Sequence, residues 1–177
     1  EFIVKETEHV AGSKIAHIGT VTKGMFKVGD TVTLKVDEAN RMKTCRNHSS
    51  THLLQKALRD VLGSHVEQKG SYQDADRTRF DFSHFQAMTS DEIRAVENEV
   101  NDRIAGAYPV ETQIMSIDEA RKSGAMALFG EKYGEEVRVV KMADSVELCG
   151  GTHVGNTSQI GQFKIVSENG IAAGVRR

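Results

Sequence analysis

Arg46-Asn47-His48-Ser49-Ser50-Thr51-His52-Leu53-Leu54 sets two histidines four residues apart at the head of an apolar pattern, and this stretch decides how the chain is read. Leu53, Leu54, Ala57, Leu58, Val61 and Leu62 recur at helical spacing. The sequence therefore predicts a helix with Asn47 as a candidate N-cap and Gly63 as its stop, and residues 37–46, which lead into it, also read as helical. Residues i and i+4 share a helix face, so His48 and His52 point the same way. Far along the chain, Cys149-Gly150-Gly151-Thr152-His153 sets a cysteine and a histidine four apart, across a glycine pair that breaks a helix and permits a tight loop. Three imidazoles and one thiolate form a ligand set that suits zinc. Either half alone also reads as boundary histidines and a small buried cysteine. The two together predict a metal centre that the rest of the chain assembles. Ser49 stands where a metalloprotease helix carries Glu, which excludes that class.

Composition narrows the classes. The 177 residues suffice for one good core or two small ones. No apolar run is long enough to span a bilayer, and no signal-peptide layout opens the chain. Cys45 and Cys149 make no disulfide framework, so an intracellular, reducing setting, read as cytoplasmic, fits better. Cys45 lacks a partner at ligand spacing. The formal net charge of -2 argues against strong nonspecific nucleic-acid binding, leaving a local basic face open. Glu1 without an initiator Met and an end at Arg177 in mid-pattern read as a piece of something longer.

Outward from the histidines, residues 1–40 carry short β-like runs (Phe2-Ile3-Val4, Ile15-Ala16-His17-Ile18 and Thr31-Val32-Thr33-Leu34-Lys35-Val36) punctuated by glycines, which predicts a small, partial, barrel-like subdomain. Residues 41–177 form the second unit. Residues 64–71 and 78–82 predict a hairpin. Thr89-Ser90-Asp91-Glu92 is a capping box that opens a helix with Ile93, Val96, Val100 and Ile104 as its apolar stripe. Residues 110–116 alternate as a strand, and Ser116 with Glu119 caps a short helix ending near Gly124. Residues 125–134 form an apolar segment with a glycine-bounded loop. Residues 137–142 and 161–167 read as strands. Helices and hairpins without a βαβ alternation predict an α+β fold, with helices packed on a largely antiparallel sheet.

These residues resemble the editing domain of alanyl-tRNA synthetase, which is related to free-standing trans-editing proteins and to the threonyl enzyme's editing domain. The resemblance rests on His48-Ser49-Ser50-Thr51-His52 and Cys149-Gly150-Gly151-Thr152-His153. Gln68-Lys69-Gly70-Ser71, Arg79-Phe80-Asp81-Phe82-Ser83-His84, Gly124-Ala125-Met126-Ala127-Leu128-Phe129-Gly130-Glu131-Lys132-Tyr133 and Ala172-Ala173-Gly174-Val175-Arg176-Arg177 add to it, and it runs from about Ile15 onward. The family's glycine-rich segment ahead of the barrel-like strands is absent, and so are the parent's catalytic and dimerisation domains. The resemblance implies hydrolysis of the ester that joins serine or glycine wrongly to tRNA for alanine, with that tRNA and the remaining domains of the parent synthetase as partners.

The implied zinc ligands are His48, His52, Cys149 and His153, and the implied reaction is theirs together with Gln68. Gln68 carries a donor and an acceptor for the serine hydroxyl or the ribose, or it is an ordinary strand residue facing solvent. Thr51 and Thr152, beside the ligands, either touch substrate or cap local backbone. Asp81 either orients a ligand imidazole or sits exposed, and Gly150 and Gly151 line the loop. Lys69, Arg79, Lys132, Arg176 and Arg177 are the candidate phosphate contacts. Four protein ligands also fit a noncatalytic zinc module that binds RNA, and a hydrolase of small esters is a third reading.

Overall fold

The computed structural model describes residues 1–11, 14–126 and 134–177. The chain divides into two compact units, Glu1–Val36 and Asp37–Arg177. In the first, β1 (Phe2–Val10) pairs antiparallel with β2 (Lys14–Val21) as a two-stranded ribbon, with a register shift between Val4 and Glu6. Residues 31–36, expected as a strand, pair with nothing among the described residues, and no closed barrel forms there. The β-branched pattern of that run is present, but a strand needs a partner edge for its backbone groups.

The second unit is built on α1 (Glu38–Leu62), which is longer than the apolar pattern indicates. The Asp37 carboxylate caps it, accepting from the Asn40 N–H at 3.0 Å. Gly63 ends it at a φ of 117°, a conformation that only glycine takes readily. Asn47 is therefore not the cap. It sits in mid-helix, and its side-chain amide donates to the Asp74 carbonyl at 2.7 Å, tying α1 to the turn of a hairpin. That hairpin pairs β3 (Gln68–Gln73) with β4 (Thr78–Ser83), and β9 (Val175–Arg176) with β8 (Gly170–Ala172) extends the sheet in the order β3-β4-β9-β8.

Helix α2 (Ser90–Ala105) opens with the expected Thr89–Glu92 capping box and buries Val96, Val100 and Ile104 against α1. A second antiparallel sheet joins β5 (Val110–Ser116), β6 (Glu136–Met142) and β7 (Ser145–Leu148). Its short helix α3 (Ile117–Lys122) starts with the Ser116–Glu119 box. Residues 161–167, expected as a strand, run extended without strand pairing and instead hang on α2. The Asn101 side chain accepts from Phe163 N–H, and the Glu97 carboxylate accepts from Ile165 N–H. Part of the apolar segment expected at 125–134 lies outside the described residues.

The fold is α+β, with helices on antiparallel sheets. One core cluster gathers Leu53, Leu58, Val96, Val100, Val140, Met142 and Val154, drawn from α1, α2, β6 and the loop after β7. Fully burying each such side chain stabilises by about 1.5–3 kcal/mol before conformational entropy is counted. That core fixes the angle between α1 and the end of β7. No helix among the described residues is long and apolar enough to cross a membrane.

Candidate metal centre

His48 and His52 sit on α1 one turn apart, and β7 delivers Cys149 opposite them. One ligand atom from each of His48, His52, Cys149 and His153 falls within 4.8 Å of the others. His48 Nε2 lies 3.5 Å and His153 Nε2 3.4 Å from Cys149 Sγ. A tetrahedron with metal–nitrogen bonds near 2.1 Å and a metal–sulfur bond near 2.3 Å has nitrogen–sulfur edges of about 3.6 Å. Both of these nitrogen–sulfur distances match the edges of a coordination shell.

The loop that carries Cys149 is held from two sides. The Arg138 guanidinium on β6 donates to the carbonyls of Cys149 (2.7 Å) and Gly151 (2.8 Å). At its far end, Val154 N–H donates to Ser49 Oγ at 3.1 Å, and Ser49 Oγ is hydrogen-bonded to His153 Nδ1 at 3.3 Å. Gly151 leaves room for the His48 ring: a Cβ there would stand 2.1 Å from His48 Cε1, so that the loop or the ring would have to shift. Gly150 opens into free space.

Glu147 completes the frame. Its carboxylate accepts from His52 Nδ1 at 2.6 Å and from Ser145 Oγ at 3.1 Å. This contact turns His52 Nε2 toward the other three donors. That nitrogen is buried and has no hydrogen-bond partner among the described residues. A buried ring nitrogen without a partner is costly to keep, and a metal cation in place of its proton satisfies it. The donor set fits a zinc-like ion.

Electrostatics agree. Burial pushes the Cys149 thiol up, but hydrogen bonds from His153 and His48, with the nearby charge of His52, outweigh it and bring the pKa down to about 3. Burial pulls the His52 imidazole down, yet Cys149 and Glu147 more than offset it and raise the pKa to about 10. His153 is lowered, chiefly by burial. The protein thus stabilises a thiolate beside positive charge, and a divalent ion supplies that charge in place of a proton.

The other sequence candidates are distributed differently. Thr51 is buried, with its hydroxyl donating to the Asn47 carbonyl at 3.0 Å and accepting from Gln73 Nε2 at 3.3 Å. Thr152 is exposed on the loop. Gln68 lies on β3 opposite Phe82 and donates to Ser71 Oγ at 3.1 Å. Asp81 orients no ligand imidazole. Arg177 grips it with two hydrogen bonds of 2.6 and 2.9 Å, and Glu147 holds His52 instead. Cys45 is buried in the core. Of the basic candidates, Lys69 pairs with Glu67, Arg79 stacks over Tyr72, Arg176 pairs with Glu168 and Arg177 pairs with Asp81. Lys132 lies outside the described residues.

Glu147, Ser49 and Arg138 were missed from the sequence. A signal existed for Glu147, because strand alternation puts it on the same side as Cys149, two residues on. Arg138 is eleven positions from the loop it clamps, and only the β6–β7 pairing reveals it.

Comparison with known proteins fits this arrangement. Residues 137–177, which hold β6, β7 and the cysteine loop, match the family described as the threonyl and alanyl tRNA synthetase second additional domain. Across its whole length the chain is 62% identical to alanine–tRNA ligase 1 of Lachnoclostridium phytofermentans. It is 57% identical, over 99% of its length, to alanine–tRNA ligase of Burkholderia thailandensis. The same coverage at 56% holds for the Methylobacillus flagellatus enzyme. The chain is thus similar over its whole length to alanine–tRNA ligases and spans about 20% of the length of these relatives.

Proposed function

We propose that this chain is the editing domain of an alanyl-tRNA synthetase, hydrolysing the ester that links serine or glycine to tRNA for alanine. The observation that carries the reading is the convergence of three imidazole nitrogens and one sulfur within 4.8 Å of one another, beside a loop with an exposed threonine and an open glycine. The relatives are named as ligases of alanine and tRNA, and such enzymes face a selection problem. A pocket that holds alanine cannot exclude smaller glycine, and an apolar pocket rejects an added hydroxyl poorly. A second, hydrolytic site removes both errors.

His48, His52, Cys149 and His153 would hold zinc. Bound there, zinc supplies a Lewis acid that polarises the ester carbonyl or orients the aminoacyl group. Glu147 keeps the proton of His52 on Nδ1, leaving Nε2 free to coordinate. Arg138 and Ser49 hold the cysteine loop against α1 so that the donors stay within reach of one another. Gln68, Thr152 and Gly150 are the proposed contacts with the aminoacyl end of the tRNA. The remaining domains of the parent enzyme, in the cytoplasm, supply further hold on the tRNA.

Release of serine from tRNA for alanine tests this reading. Alanine on the same tRNA, serine on tRNA for threonine, and a small serine ester serve as controls. Selective release from the mischarged alanine tRNA supports editing, whereas turnover of the small ester alone supports a general esterase.

A second reading has its own support, since four protein ligands fill a tetrahedron and leave no open position, the pattern of structural zinc. The His52→Ala variant separates the two. A variant that folds but fails to release serine is the editing outcome, and one that unfolds outright is the structural outcome.

A further inference from the structure

Gln55 lies on α1 one turn beyond His52 and is only 6% exposed. Its amide oxygen is buried and has no hydrogen-bond partner among the described residues. One other buried side-chain atom there shares that condition, and it is His52 Nε2. The two belong to the same helix face. At 100° per residue Gln55 falls between Thr51 and His48 around the axis, and it stands about 4.5 Å further along than His52. A buried amide oxygen without a donor is rare in a native fold and calls for an explanation. The position beside the metal-ligand face supplies one.

We propose that Gln55 is a specificity-determining residue of this site, its amide oxygen accepting a hydrogen bond from the side-chain hydroxyl of a seryl ester. The inference rests on the editing reading. A neutral hydroxyl suits this environment better than the α-ammonium, because a charge brought into a buried position pays a larger desolvation cost than a hydroxyl does. Serine satisfies the oxygen. Alanine and glycine leave it unpaired, so the amide favours serine among the three amino acids. A half-turn of the terminal amide torsion exchanges oxygen and nitrogen without changing shape, which lets the group adjust to the ester.

The test uses the full chain with Gln55→Leu and Gln55→Met, both close to glutamine in volume. Metal content, melting temperature and kcat/KM for serine and glycine release from tRNA for alanine are measured. The expected result has three parts: metal content is unchanged, serine release is lower by about tenfold while glycine release holds, and Tm is raised by a few degrees because an unpartnered buried amide is gone. A merely structural glutamine would lower Tm and leave the serine-to-glycine ratio alone. Equal loss on both esters, no loss on either, or a fall in Tm in both variants overturns the proposal. Failure of the unmodified chain to release serine defeats the editing reading, and this inference falls with it. An active unmodified chain with an unchanged ratio in the variants defeats this inference alone.

Discussion

Glu147 decides which nitrogen of His52 faces the other ligands, so its chemistry is felt through the imidazole it holds. Glu147→Gln keeps the size but makes a weaker, uncharged acceptor. Zinc affinity is expected to fall about 10–100-fold with the fold intact, as for other partners behind metal-bound histidines, and competition against a chromogenic chelator measures it. Unchanged affinity would mean that the contact does not orient the ligand. Gly151 acts by absence. A methyl group at this position collides with the His48 ring, so Gly151→Ala should shift the loop or the ring at a cost of about 1–3 kcal/mol. Metal titration beside thermal unfolding shows whether the loop or the ring gives way. The cluster of His48, His52, Cys149 and His153 was legible from their spacing. The residues that aim them were not, because Ser49, Arg138 and Glu147 act through contacts that the chain order does not display.

At the scale of elements, α1 and its junctions carry the centre. Gly63 ends the helix in a region that other residues enter only with strain, and a Cβ there would also stand 3.1 Å from His65 Nδ1. Gly63→Ala is expected to lower stability by about 1–3 kcal/mol in chemical denaturation. Arg103 on α2 binds Asp144 before β7, Asp60 on α1 and Glu99 on α2, pinning both helices to the β6–β7 hairpin. Arg103 is the chief reason that the Asp144 carboxyl lies well below its ordinary 3.8. A depressed carboxyl stabilises the fold above its unfolded pKa, and the contribution fades as pH falls through the folded value. The stability lost in Arg103→Ala, about 1–2 kcal/mol after allowance for solvent screening, should therefore be full above about pH 4 and shrink below it. Denaturation curves at pH 7 and pH 3 with chelator present check this, and an equal difference at both values would contradict it. The capping boxes at Thr89 and Ser116 were plain in sequence because they are local. The cap of α1 was not, since Asp37 lies far upstream of the apolar stripe, and the extended run 161–167 lacks the strand partner that its alternation suggests.

For the whole molecule, the fold class could be read because hairpins and capped helices alternate without a βαβ pattern, and the structure shows helices on antiparallel sheets. Which sheets pair with which could not be read. The order β3-β4-β9-β8 brings together segments some ninety residues apart, and side-chain patterns carry no register over that distance. In the other sheet, β7 packs against α1 and so brings a histidine pair and a cysteine loop together across a hundred residues. If the resulting centre serves editing, its activity requires the metal. The direct measurement is the rate of serine release from tRNA for alanine by the chain as purified, after chelation, and after zinc is returned. Release should stop on chelation, while circular dichroism shows the fold retained, and resume with zinc. Release that continues at full rate in the metal-free protein would contradict it.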